Sequence, residues 1–255
     1  MVKPYRGSRK HVLDLLDSGR FAETMTALLS KHGVSISIYD TWRPLGSLED
    51  EEWDLRRFCA TLLGLDMDSG AFDVWWVPSR YRNPQWDLLA TCAIDGRPGL
   101  LLVEAKANAA ELSAAGKPLA TSASPRTREN HAVIGKCIDE ANAALNAVLP
   151  GFAISRDTHY QLSNRIAFAW KLACCGLPVV LLYLGFTGDD GIVGVGEPIA
   201  GQGHWQRIMG AYMSGVAPLH FPDVTIEVEG GGSLRMAVES LPVLGPSPPS
   251  GPSQK

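Results

Sequence analysis

Apolar residues recur along this chain in three rhythms, helical, alternating and continuous, and their order predicts the elements. Leu13, Leu16, Phe21, Met25, Leu28 and Leu29 keep helical spacing and predict a helix over 12–29. Residues 34–39 alternate as a short strand would. A second helix is predicted from Ser47 to Gly64, with Ser47 as cap, Glu49, Glu51 and Glu52 in the first turn, and a stripe of Trp53, Leu55, Phe58, Leu62 and Leu63. Three strands should follow, over 72–77, 86–94 and 100–107. The last two are joined by the turn pair Asp95-Gly96 into an antiparallel hairpin. The run Leu100-Leu101-Leu102-Val103 suits a strand covered on both faces.

Residues 108–125, rich in Ala, Ser and Gly, read as a loop or lid. Amphipathic helices are predicted over 126–149 and 160–174, then an apolar strand over 178–186. A peripheral helix near 204–214 and a hairpin pairing 224–228 with 233–238 complete the pattern. From residue 48 to 186 the order is helix, strand, strand, strand, helix, strand. The predicted class is α/β, one domain over 1–242 with a mixed central sheet flanked by helices, an N-terminal helical extension and a disordered Pro/Ser-rich tail at 243–255.

Composition narrows the function more than the fold. The chain has 255 residues, 45% of them hydrophobic, and its longest apolar runs fall short of the ~20 residues that cross a bilayer. No apolar stretch follows the basic start as in a secretory leader. The five cysteines form no CxxC pair and the six histidines no HxH or HExxH pattern, which argues against a disulfide scaffold or zinc module and for a cytoplasmic protein. Net charge is −4, but unevenly spread: residues 1–128 hold 16 basic and 16 acidic side chains, the remainder 7 and 11. A basic groove is therefore compatible with the sequence, and Arg80, Arg82, Arg126 and Arg128 are its candidates for the phosphate backbone. Neither a Gly-rich phosphate loop nor a GxSxG elbow is present, which argues against kinase, dehydrogenase and hydrolase-elbow chemistry.

The chemistry concentrates in Asp87 and in Glu104-Ala105-Lys106. Alternate residues of a strand share a face, so Glu104 and Lys106 project together from the end of an apolar strand. Asp87 begins the hairpin partner, and antiparallel pairing brings the start of one strand beside the end of the next. Two carboxylates at one corner repel, and a divalent cation relieves that repulsion. Mg²⁺ accepts hard oxygen ligands from one or two carboxylates and keeps waters for a phosphate. A nearby ammonium would orient the attacking water or stabilise the phosphoryl centre. An acid-x-Lys tripeptide is expected about once by chance in such a composition; what singles out this one is its place at the end of a buried strand.

These residues, in Pro84-Gln85-Trp86-Asp87 and Val103-Glu104-Ala105-Lys106, resemble the PD-(D/E)XK nuclease superfamily with its restriction-endonuclease-like αβββαβ core. The resemblance implies a Mg²⁺- or Mn²⁺-dependent phosphodiester hydrolase acting on nucleic acid, DNA first among candidates. Asp87, Glu104 and the Ala105 carbonyl would ligate metal, and Lys106 would serve the water. It also implies a supporting role for Gln161, a phosphate contact or site support for Arg165 four residues on, and a metal-holding acid on the first core helix, for which Glu52 is favoured. Pro84 stands three residues before Asp87 instead of next to it, and the 126–149 helix is an insertion. A homodimer is compatible with double-strand cutting. The competing reading is a non-catalytic relative that binds nucleic acid or serves assembly.

Overall fold

The structure is a computed structural model that describes residues 5–62, 75–77, 83–189, 191 and 196–244. It begins with two helices, α1 (Gly7–Asp17) and α2 (Phe21–Leu29), where the periodicity predicted one. The break lies at Ser18-Gly19. The Ser18 hydroxyl bonds back to the Leu15 carbonyl at 2.6 Å, and Gly19 takes φ +70°, a conformation that only glycine adopts without strain. Apolar spacing survives the break because both helices lie on the same sheet face.

Short strands β1 (Val34–Ser35), β2 (Trp42–Arg43) and β3 (Trp53–Asp54) follow, then helix α3 (Leu55–Leu62). The helix predicted from Ser47 thus starts eight residues later. Asp54, not Ser47, caps it, its Oδ1 accepting the Arg57 N–H at 3.0 Å. Ser47 instead gives its N–H to the Asp17 carboxylate, and Trp53 enters a strand. Of the strand predicted over 72–77, residues 72–74 lie outside the described residues and 75–77 form a turn.

Next come β4 (Gln85–Trp86), β5 (Leu88–Ile94), β6 (Arg97–Lys106), α4 (Pro125–Val148), α5 (Tyr160–Ala173), β7 (Pro178–Thr187), α6 (Gln202–Met213), β8 (Thr225–Glu227) and β9 (Ser233–Pro242). The main sheet is mixed, in the order β1-β5-β6-β7-β9-β8, with β2 also on β5; β3 and β4 form a separate pair. β5 and β6 make the expected hairpin through Asp95-Gly96, both at positive φ, as a two-residue hairpin turn requires. β6 runs parallel to β7 and β7 to β9. The strand beside β5 is drawn from residues 34–43, ahead of the 48–186 stretch that the sequence marked as core.

Two apolar layers sandwich the sheet. α1 and α2 pack on Leu88, Ala90, Leu101, Val103, Ala105, Leu182 and Leu184. The other layer, with α3 to α6, covers Leu89, Leu100, Leu102, Leu181, Tyr183 and Met236. Glu104 and Lys106 share the parity of Leu100 and Leu102, so the strand carries them out on this second face. Beside Lys106 in register lies Gly185, where a Cβ would come within 2.7 Å of the Trp205 ring, so glycine lets α6 close on the sheet there. No helix among the described residues is long and apolar enough to cross a membrane.

Candidate active site

The site forms where the strand preceding Leu88 leaves the main sheet. Gln85 and Trp86 turn away to pair with Asp54 and Trp53, which leaves Asp87 at the bend. Leu88 still faces Val103, so the next rung of the ladder has no strand backbone to fill it. The Asp87 side chain takes that place: its Oδ2 accepts the Ala105 N–H at 2.7 Å. Asp87 is thereby fixed against the main chain between Glu104 and Lys106, the convergence that hairpin geometry predicts.

Glu104 is 2% exposed and is surrounded by donors. Arg165 Nε reaches its Oε2 at 2.7 Å and Gln161 Nε2 its Oε1 at 2.6 Å, while Lys106 Nζ donates to the same Oε1. Gln161 and Arg165 lie one turn apart on α5, so a single helix face delivers both. Arg165 is itself buried. Its Nη2 donates to the Gln85 carbonyl at 2.6 Å, Nη1 to Asn164 at 3.2 Å, and its Cζ lies 4.3 Å from the centre of the Trp86 ring. With Glu104, Gln85 and Asn164 as its partners, Arg165 is a component of the cluster.

Burial alone would favour a protonated Glu104, but the Arg165 and Lys106 cations outweigh it and hold the carboxyl below its ordinary range. Asp87 goes the other way. Burial first, then the adjacent Glu104 charge, push it up to about 7, despite Lys106 and the Ala105 N–H; Glu52 adds to the rise. The site therefore sets one acid firmly ionised beside another balanced near neutrality. Tyr183, opposite Glu104 in register, is buried with no hydrogen-bond partner for its hydroxyl among the described residues. Burial and the Glu104 charge raise it well above the usual phenol range.

Glu52 is near Asp87 but not on a helix. It precedes β3 and pairs with Arg9 of α1 at 2.5 Å, and Arg9, Glu52 and Asp87 line one narrow cleft. Arg126 pairs with Glu129 at 2.8 Å at the start of α4. Arg128 holds the preceding loop through the Ala123 and Thr121 carbonyls. Arg80 and Arg82 lie outside the described residues. His131 donates Nε2 to the Lys117 carbonyl at 2.9 Å, a structural role.

The oxygens that would hold a hard cation are those of Asp87, Glu104 and the Ala105 carbonyl. The donor set would suit Mg²⁺, which needs only one or two carboxylates, and an ionised Glu104 that raises the protonation of the neighbouring Asp87 leaves charge a cation would offset. No group of three or more His, Cys, Asp or Glu side chains is placed to hold a metal among the described residues. Sequence reasoning offered Arg165 as site support or a phosphate contact, and its bond to Glu104 is the former; the link from Arg9 to Glu52 had no sequence signal. The signal for Arg165 was its position between Leu162 and Ile166 on the apolar face of α5, where an arginine must find an anion. No protein-family model, curated protein or solved structure matches the chain.

Proposed function

We propose that the protein is a divalent-cation-dependent phosphodiester hydrolase, a nuclease acting on nucleic acid, DNA being the favoured substrate. The observation that carries this reading is the Asp87–Ala105 hydrogen bond, which places a second carboxylate beside Glu104 in the corner that also holds Lys106. The hairpin followed by a crossover to a parallel strand supports the restriction-endonuclease-like reading of the core, with α1 and α2 as its first helical layer.

Asp87, Glu104 and the Ala105 carbonyl would hold the ion, which when bound supplies hydroxide near neutral pH and offsets charge on a phosphoryl oxygen. Arg165 and Gln161 fix the Glu104 carboxylate in one orientation. Lys106 gives that site an ammonium, buried and bonded to Glu104: released from that carboxylate, it would orient a water or stabilise the phosphoryl oxygens. Asp87 must lose its proton to take the ion, so ion affinity, and with it activity at subsaturating Mg²⁺, should rise with pH up to about 7.

The test is cleavage of plasmid and single-stranded DNA with Mg²⁺ or Mn²⁺. Lys106→Met and Glu104→Gln should each lower the rate by on the order of a hundredfold or more; wild-type rates in both would end the proposal. A second reading, a non-catalytic nucleic-acid-binding relative, is favoured by one observation: Arg165 and Lys106 already both pair with Glu104. Calorimetry with Mn²⁺ separates the two, since only the enzyme needs an ion site that disappears in Asp87→Asn.

A further inference from the structure

Beside the cluster lies a cleft of about 540 Å³, within the size range of small-ligand sites. Gln161 and Arg165, which hold Glu104, form one edge of it. Tyr160 supplies aromatic surface, with the buried Trp76 behind it, and Lys117 Nζ stands 4.8 Å from the centre of the Tyr160 ring. The remaining wall includes Asn83, 8% exposed, whose Oδ1 is buried and has no hydrogen-bond partner among the described residues. A buried acceptor without a donor is unfavourable, and a turn of the Asn83 amide toward the cleft would let a ligand N–H relieve it.

The wall is built in advance. Tyr160 N–H donates to the Ala115 carbonyl at 3.0 Å and Lys117 N–H to that of Arg156 at 2.8 Å. Gly116 packs so closely on Asp157 that a Cβ would lie 2.2 Å from its carbonyl oxygen. The segment that composition marked as a loop or lid is thus tied to the start of α5.

We propose that this cleft receives one unpaired nucleobase next to the phosphodiester to be cut, so that the substrate is a single-stranded or locally opened nucleic acid. The assignment of the neighbouring phosphodiester rests on the nuclease reading; the base pocket itself does not. The Tyr160 ring offers a stacking surface, Asn83 accepts a base N–H, and Lys117 supplies a cation for the adjoining phosphate. In a duplex that base edge is already paired and the base is stacked, so a paired strand cannot fill the cleft.

The experiment is fluorescence-polarisation binding of the full chain, in EDTA, to a labelled mixed-sequence single strand, to its duplex and to a single strand of abasic units. Wild type should prefer the base-containing single strand by on the order of tenfold over both. Asn83→Leu and Tyr160→Leu should each reduce that preference severalfold, whereas Tyr160→Phe should retain it; thermal melts confirm that each variant folds. Equal or tighter duplex binding, equal affinity for the abasic strand, no binding at all, or a preference unchanged in both Leu variants would overturn the pocket. Single-strand preference without any Mg²⁺-dependent cleavage would keep the pocket and remove the nuclease reading. Cleavage without the preference would do the reverse.

Discussion

Two buried carboxylates in this molecule look alike at first and differ in the feature that matters. Glu104 on β6 is held by Arg165 and Lys106; Glu239 on β9 is held by Lys31 and His32, each 2.8 Å from its Oε1. Both are nearly inaccessible, 2% and 5% exposed. Both carboxyls lie below the ordinary range: burial opposes ionisation in each, and cationic or hydrogen-bonding partners overcome it. Glu104, however, has a second acid close enough to be pushed up by its charge: Asp87, bonded to the main chain one residue along the strand. Pairing a buried acid with cations stabilises structure. A second acid beside that pair is the feature on which the proposed cation site rests, and Glu239 offers no counterpart to the Asp87–Ala105 bond.

The largest expected contrast is in stability. Arg165→Met leaves Glu104 buried without its main partner and should lower unfolding free energy by about 3–5 kcal/mol, read from urea denaturation. Glu239→Gln keeps an acceptor, and Lys31 is 58% exposed, so water takes over its charge; the loss should be about 1 kcal/mol or less. Equal losses would mean that the two carboxylates are equivalent.

Asp87 sharpens the contrast through pH. Its folded value of about 7 lies above its ordinary 3.8, so ionising it favours unfolding. This penalty is absent below about pH 4, grows between about 4 and 7, and is constant above that. Asp87→Asn should therefore stabilise the protein at pH 8 by about 2–4 kcal/mol and leave it little changed at pH 4, while abolishing activity. Thermal melts across this range check it; an unchanged pH dependence would contradict the assignment. The smallest effect is Gln161→Ala, which removes one hydrogen bond from Glu104 while Lys106 still donates to the same Oε1. A loss of about 1 kcal/mol is expected in the same denaturation assay.

Legibility from sequence followed how local each determinant was. The β5–β6 hairpin and the meeting of Asp87, Glu104 and Lys106 could be read from an Asp-Gly turn and strand parity, both short-range features. The α1–α2 break was hidden because the same apolar face continues across Gly19. The start of α3 was misplaced because Glu49, Glu51 and Glu52 imitate a first turn, while pairing of Trp53 with the distant Trp86 draws the segment into a strand. Arg9 holding Glu52 and β1 joining β5 are long-range arrangements with no local signature. Gln161 and Arg165 were visible as an i, i+4 pair, but the burial of Arg165 depends on the sheet beneath it.

The most direct measurement is a carboxyl ¹³C NMR titration of Asp87 in the intact protein, with and without saturating Mg²⁺. Without the ion, Asp87 should titrate near 7, since burial and Glu104 disfavour its charge; with the ion, its midpoint should fall by more than one pH unit. A midpoint near 4 in the metal-free protein, or one that Mg²⁺ does not move, would contradict a cation-binding acid pair at this corner.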